Sequence, residues 1–128
     1  MDKLKFDIPA AQHTIIGMLH DDAWCMHAPG QGYQITIMVD DKPGRPIVAH
    51  HWYEFRDGVS HETTGHIANS CARQLKRGTM VQIKGSHLIP GRWRGRDVLT
   101  LARLDSLDWP NKGACAATRE LDLEGAAA

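Results

Sequence analysis

Three arginines surround a tryptophan in a short segment of the C-terminal third of the chain. Arg92, Arg94 and Arg96 alternate with other residues around Trp93, and nearby glycines leave the segment free to bend. Guanidinium groups bind phosphates and an indole ring stacks on a nucleobase, so this composition suits a nucleic-acid strand. An ordinary hairpin with a solvated, arginine-rich tip explains the same residues, and the segment alone does not separate the two interpretations.

The residues on both sides of this segment have the pattern of β-strands. Thr79, Val81 and Ile83 alternate with polar or flexible side chains, and residues 98–104 are mostly apolar and β-prone. Two strands joined by a basic tip predict a long hairpin that carries Trp93 and the three arginines.

Several further candidates for contact with a nucleic acid lie elsewhere in the chain. Trp52 falls on the non-core face of an alternating strand over residues 47–55, although burial in the core or an oligomer contact explains it equally well. Trp24 lies in a predicted loop over residues 21–32 and is a weaker candidate. The candidate cations are Lys84, which faces outward in its strand, and Arg45 and Lys42, on a turn-rich tip.

The eight histidines raise the question of a metal site. His50, His51, His61 and His66 lie near one another, but no pair has a ligand spacing tied to a helix face. His50 and His51 also point to opposite faces of one strand. The sequence contains no glycine-rich phosphate loop, nucleophile elbow or carboxylate pair. We therefore predict no catalytic residue, no metal and no cofactor.

Composition limits the classes of protein that remain. A chain of 128 residues with 42% hydrophobic residues predicts one globular domain with its own core. The formal net charge is zero, so any nucleic-acid site must be a local patch. Cys25, Cys71 and Cys115 are scattered, which is typical of reduced thiols in a cytoplasmic protein. No apolar run approaches the roughly 20 residues that span a membrane.

One helix is predicted between the third and fourth strands. From about residue 65 to residue 77, Ile67, Cys71 and Leu75 recur every four residues as a narrow apolar stripe. Cations follow in the expected last turn, and Gly78 suits a C-terminal cap. Residues 56–65 have no strong pattern.

The order of elements predicts the fold. Strands are expected over residues 13–19, 33–39 and 47–55, followed by the helix and by the two strands of the arginine-bearing hairpin. This is the order of the OB fold, an all-β, five-stranded Greek-key barrel that binds oligonucleotides on one face. We predict such a domain over residues 1–110 and a flexible tail over residues 111–128.

The sequence resembles the bacterial single-stranded-DNA-binding protein family. The specific segment is Leu-Lys-Arg-Gly-Thr-Met-Val-Gln-Ile-Lys-Gly at residues 75–85, which is similar to the family's Leu-Arg-Lys-Gly-Ser-x-Val-x-Ile-Glu-Gly. Gly-Arg-Trp at residues 91–93 resembles the Arg-Lys-Trp segment of the family's long hairpin. Weaker similarities at residues 15–19, 29–39 and 50–52 extend the resemblance over roughly residues 14–109.

This resemblance implies a non-catalytic protein that binds single-stranded DNA without sequence preference and serves replication, recombination or repair. It implies stacking by Trp93 and Trp52 and a cation at Arg92, whereas Trp24 has no clear counterpart. It also implies a homodimer or homotetramer. RNA is an alternative ligand that the residues do not exclude.

Three departures from the family leave alternatives open. The segment between Trp52 and Gly78 is longer than usual, the binding face is less aromatic, and the chain ends Leu-Glu-Gly-Ala-Ala-Ala without a glycine-rich linker or an acidic Pro-Phe tip. Recruitment of replication partners through such a tip is therefore in doubt. The chain also resembles the primosomal replication protein, an OB dimer, and suits an accessory protein of a phage, plasmid or mobile element. A histidine-using, metal-binding small-barrel enzyme is the alternative from a different class.

Overall fold

The described part of the chain is mostly β-structure with one helix. The computed structural model describes residues 12–42, 45–110 and 112, and at residues 41, 42 and 45 it describes the backbone alone. The strands are β1 (His13–Leu19), β2 (Trp24–Ala28), β3 (Gly32–Lys42), β4 (Arg45–Glu54), β5 (Met80–Gly85), β6 (Leu88–Trp93), β7 (Arg96–Leu101) and β8 (Leu104–Asp108). The helix α1 (His61–Gln74) lies between β4 and β5. The predicted tail, apart from residue 112, and residues 1–11 lie outside the described residues.

The predicted number of five strands is wrong, for two physical reasons. β6 forms within the segment predicted as the loop between the last two strands, because it pairs with β7, and residues 102–103 divide the last predicted strand into β7 and β8. In addition, β2 forms where a loop was predicted, because the turn at residues 29–31 lets it pair with β3 from Trp24↔Thr36 to Ala28↔Gly32. The prediction of a mostly β chain with a helix before its later strands is confirmed.

One sheet contains all eight strands. Its order is β6-β7-β4-β3-β1-β5-β8, with β2 paired to β3. The β4–β7 pair is parallel, and the other pairs are antiparallel. β6 and β7 lie at one end of this order, and β5 and β8 lie at the other. The chain connects these two ends, because β5 continues into β6 and β7 continues into β8. The sheet therefore curls, and one of its faces encloses the core.

The core side of the sheet follows the alternation that the sequence predicts. Ile35, Ile37 and Val39 of β3 are fully buried beside Ile47 and Ala49 of β4. The helix adds its predicted stripe to the same cluster: Ile67, Cys71 and Leu75. Each fully buried Leu or Ile side chain contributes about 2 kcal/mol to folding.

The helix begins four residues and ends three residues earlier than predicted. Ser60 is its N-cap, and the Ser60 hydroxyl accepts a hydrogen bond from the backbone N–H of Thr63 at 3.0 Å. Leu75 is the C-cap, so Lys76 and Arg77 lie beyond the helix, and Gly78 occupies a following turn with φ 89°. The N-cap at Ser60 therefore starts the helix within a segment that has no regular hydrophobic pattern. No helix in the described ranges is both long and apolar enough to cross a membrane.

His51 lies on the core side of β4, with its ring edge-on to that of Tyr53. Its buried Nδ1 atom has no hydrogen-bond partner within the part of the chain that the structure describes. Burial lowers the pKa of His51 to about 4; Lys112 adds to this shift and Asp108 opposes it. The imidazole is therefore neutral in the folded protein at neutral pH.

The pKa of His51 makes the stability of the fold depend on pH. The folded-state pKa lies below the ordinary histidine value of 6.5, so the unfolded chain binds the proton first as pH falls. The free energy of unfolding is therefore highest above about pH 6.5. It falls by about 3 kcal/mol in all as pH falls towards 4. We expect urea unfolding to show this loss in the wild type and a smaller loss in His51→Gln. An equal loss in both proteins would contradict the assignment.

Candidate nucleic-acid interface

Strand pairing gathers aromatic side chains on the side of the sheet that faces away from the core. Trp24 pairs with Thr36, and Thr36 pairs with His50, which forms one row across β2, β3 and β4. Trp52 lies two residues after His50 on the same face of β4. We call this surface the tryptophan face; its members are Trp24, Thr36, His50, Trp52 and Trp93.

Trp93 belongs to the tryptophan face and is partly buried. Its ring packs against a small apolar cluster of Met38, Val48 and Val98, which is separate from the main core. The outer face of the sheet therefore supplies apolar neighbours for this ring. The ring lies edge-on to Trp24, with the centroids 5.6 Å apart. Its buried Nε1 has no hydrogen-bond partner within the described ranges.

Arg94 joins the two tryptophans. Arg94 and Gly95 form the tip of the β6–β7 hairpin, with φ values of 51° and 80°. Two consecutive positive φ angles are typical of a type I′ hairpin turn, in which a residue other than Gly or Asn is unusual. This backbone places the Arg94 guanidinium 4.6 Å from the ring centroid of Trp24 and 5.6 Å from that of Trp93. The arginine therefore covers the rings by cation–π contact.

Trp52 marks the other end of the tryptophan face. Its Nε1 donates a hydrogen bond to the Ala102 carbonyl at 3.3 Å, and the guanidinium of Arg103 lies 5.5 Å from its ring centroid. Arg103 also pairs with Glu54 at 2.6 Å. No local pattern in the sequence distinguishes Arg103, because only the break between β7 and β8 directs it to this face.

The remaining predicted cations are distributed over different surfaces. Arg96 is exposed and lies opposite Trp93 on the same face, whereas Arg92 lies opposite Asp97 on the other face. Arg92 is also engaged within the hairpin, because it donates to the Gly95 carbonyl at 2.8 Å and approaches Asp97 at 3.7 Å. Lys84 faces outward from β5, beside Thr14 of β1 and remote from β3 and β4 in the order of the sheet.

The two other predicted cations belong to the β3–β4 hairpin. The backbones of Lys42 and Arg45 pair at the end of that hairpin, and their side chains lie outside the described residues. The roles of all the predicted binding residues stay predictions, and the structure adds their positions.

His50 supplies a polar group in the middle of the tryptophan face. Its Nδ1 lies 2.8 Å from the Thr36 hydroxyl, and its ring centroid is 6.4 Å from that of Trp93. Burial lowers the pKa of His50, so the imidazole is neutral at pH 7.

His50 and His51 face opposite sides of β4, and residues 12–42, 45–110 and 112 contain no group of three His, Cys, Asp or Glu side chains that could hold a metal ion.

Comparisons with known proteins find similar solved structures but no matching family. No protein-family model matches the sequence, and no curated protein matches it. Among solved structures, the chain is similar to a small single-stranded DNA-binding protein from Streptomyces coelicolor. The TM-score is 0.46 at 10% sequence identity, and the alignment covers 80% of this chain and 96% of that one. A likeness at this level establishes neither a shared family nor a shared activity.

Proposed function

We propose that this protein is a non-catalytic binder of single-stranded DNA that stacks bases on the tryptophan face. The proposal rests on one observation: the same outer face of the sheet carries Trp24, Trp52, Trp93 and His50. Successive rows along β4 are about 7 Å apart, so neighbouring rows can take successive bases. Every base has a π face, and stacking therefore gives affinity without sequence preference.

The cations beside these rings support the same proposal. Arg94 and Arg103 lie over indole rings, and Arg96 is exposed on the same side of the hairpin. A chain with zero net charge has little long-range attraction for DNA, so these few arginines must supply the phosphate contacts. We expect a salt dependence that corresponds to two or three phosphates, a slope of about −2 in log affinity against log salt.

We infer that the curled sheet is an OB barrel. The continuous pairs β5–β6 and β7–β8 would then act as its fourth and fifth strands, after β1, β3 and β4. The helix between β4 and β5 and the parallel pairing of β4 with β7 support this assignment. The barrel face formed by the second and third strands is the one on which OB folds bind oligonucleotides, and it corresponds here to β3 and β4. A cytoplasmic role in DNA replication, recombination or repair is part of the proposal.

A fluorescence titration tests the proposed function. Oligothymidine added to the full chain should quench tryptophan emission, and added salt should weaken the binding. Duplex DNA is the control and should bind more weakly, because its bases are already stacked. Oligouridine measures the preference for DNA over RNA. An unchanged emission spectrum at low salt, together with zinc in the purified protein, would contradict the proposal and favour the metal-binding alternative.

A second copy of the chain is the partner we propose for the outer face of β1 and β5. Ile16, Met18 and Met80 are 65%, 50% and 45% exposed there, and Met18 pairs directly with Met80. Exposed apolar patches mark contact sites, and one patch on two copies is self-complementary about a twofold axis. The dimer or tetramer that the resemblance implies would bury this patch.

We expect Ile16→Glu to convert the assembly to a monomer, because a charge in an apolar interface is left without a partner. Light scattering should then report about the chain mass of 14.2 kDa. Ile89→Glu is the matched control: Ile89 is 51% exposed on β6, outside the patch, and its replacement should leave the mass unchanged. A wild-type monomer would contradict the prediction.

A further inference from the structure

A cavity of about 350 Å³ adjoins the Trp52 end of the tryptophan face. It lies where β4 ends and α1 begins, and Trp52, Tyr53 and Phe55 line it together with Ile67 of the helix. Its volume is at the lower end of the roughly 300–1,000 Å³ of small-molecule sites. A planar ring system in this cavity would therefore contact apolar and aromatic walls beside Trp52.

Three charged side chains also line this cavity: Glu54, Arg56 and Arg103. Arg103 Nη1 donates to Glu54 Oε1 at 2.6 Å, and both side chains are more than half exposed. An exposed ion pair contributes little to stability, so it can rearrange around a ligand at small cost. The cavity thus offers a carboxylate acceptor and a guanidinium donor side by side, next to stacking surface.

We propose that this cavity binds one nucleobase of the bound strand and prefers guanine. This inference rests on the proposed function. Guanine carries two neighbouring donors on its Watson–Crick edge, N1–H and the exocyclic amine, beside the O6 acceptor. The two oxygens of Glu54 match the donors, and Arg103 matches O6.

The other DNA bases fit this pair of side chains less well. Adenine and cytosine each present only an exocyclic amine to the carboxylate, and thymine presents only N3–H. One carboxylate oxygen of Glu54 then lacks a base partner in each case. A carboxylate near a strand also repels phosphates, so its presence on a DNA-binding face is better explained by base recognition than by backbone contact.

Competition between two oligonucleotides tests the guanine preference. The probes are an oligothymidine long enough to cover the face and the same strand with one central guanine. The full chain should bind the guanine strand about fivefold more tightly or better, as one well-formed pair of hydrogen bonds discriminates between bases. Glu54→Gln should bring this affinity ratio close to one. The control, Glu62→Gln, changes the same charge at the start of α1 and should leave the ratio unchanged.

The outcomes separate this inference from the proposed function. Equal affinity of the wild type for both strands overturns the guanine site and leaves the stacking face intact. A guanine advantage that persists in Glu54→Gln overturns the role of the carboxylate. Failure of both strands to bind overturns the proposed function, and the guanine site with it.

Discussion

Trp93→Ala will weaken the binding of oligothymidine roughly 5- to 150-fold, which corresponds to the loss of one stacked base. The effect should exceed that of any single arginine, because the ring also supports Trp24 and His50 through edge contacts. A secondary loss of stability of about 2 kcal/mol is expected, since the ring packs on Met38, Val48 and Val98. Fluorescence anisotropy with a labelled strand measures the affinity, and urea unfolding measures the stability.

Two further variants separate stacking from packing at this position. Trp93→Phe keeps an aromatic face and should keep most of the affinity. Trp93→Leu keeps apolar contact with the cluster beneath but removes the π face, so it should be nearly as stable as the phenylalanine variant and bind as weakly as the alanine variant. Equal affinity of the leucine and phenylalanine variants would show that Trp93 only packs.

Gly32→Ala will destabilise the fold by about 3 kcal/mol or more. Gly32 has φ 146°, a conformation that other L-residues rarely adopt, and an added Cβ would overlap the Tyr53 carbonyl oxygen and lie 2.8 Å from the Cα of Glu54. Because Gly32 pairs with Glu54 at the start of β3, the overlap forces β3 and β4 apart. The same pairing sets Gln34 opposite Trp52, so oligothymidine affinity should fall with stability.

Gly30→Ala provides the matched control for this prediction. Gly30 also has a positive φ, 77°, but nothing lies within 4 Å of an added Cβ. Its replacement should lower the free energy of unfolding by about 1–2 kcal/mol, which is the cost of backbone strain alone. Urea unfolding of the two variants compares strain alone with strain plus overlap. Equal losses would mean that β3 and β4 can separate at this end without cost.

Local patterns predicted the elements whose hydrophobic period is regular. Alternation placed the ends of β1, β3 and β4 within three residues, and the stripe of Ile67, Cys71 and Leu75 identified the core face of α1. The ends of α1 differ from the prediction, because Ser60 caps its first turn and Leu75, three residues before Gly78, caps its last. Both caps are short-range features that the hydrophobic stripe does not reveal.

The division into eight strands depends on long-range pairing that no local pattern shows. The short sequence of β2 shows no regular alternation of apolar and polar residues. The strand forms because it pairs with a free edge of β3. His87, with φ 63°, interrupts the run between β5 and β6 although nothing about His-Leu-Ile-Pro predicts a break. Propensity cannot reveal such sites, since their strain is balanced by contacts made elsewhere.

The residues of the candidate site also fall into two groups: those that local patterns predict and those that only long-range pairing places there. The composition around Trp93 indicated Arg94 and Arg96, and alternation indicated that Trp52 faces away from the core. The pairing of Trp24 with Thr36 and the position of Arg103 over Trp52 depend on residues far apart in sequence. Arg92 was expected beside Trp93, but neighbours in a strand point to opposite faces, and its pairing with Asp97 places it on the other side.

The indole N–H signals of the four tryptophans test the central claim most directly. In a two-dimensional NMR titration with oligothymidine, the signals of Trp24, Trp52 and Trp93 should move together. The signal of Trp109 should stay in place, because this residue is buried beside α1 and its Nε1 donates to Gln74 Oε1 at 2.8 Å. Movement of the Trp109 signal alone, or no movement at saturating oligonucleotide, would contradict binding on the tryptophan face.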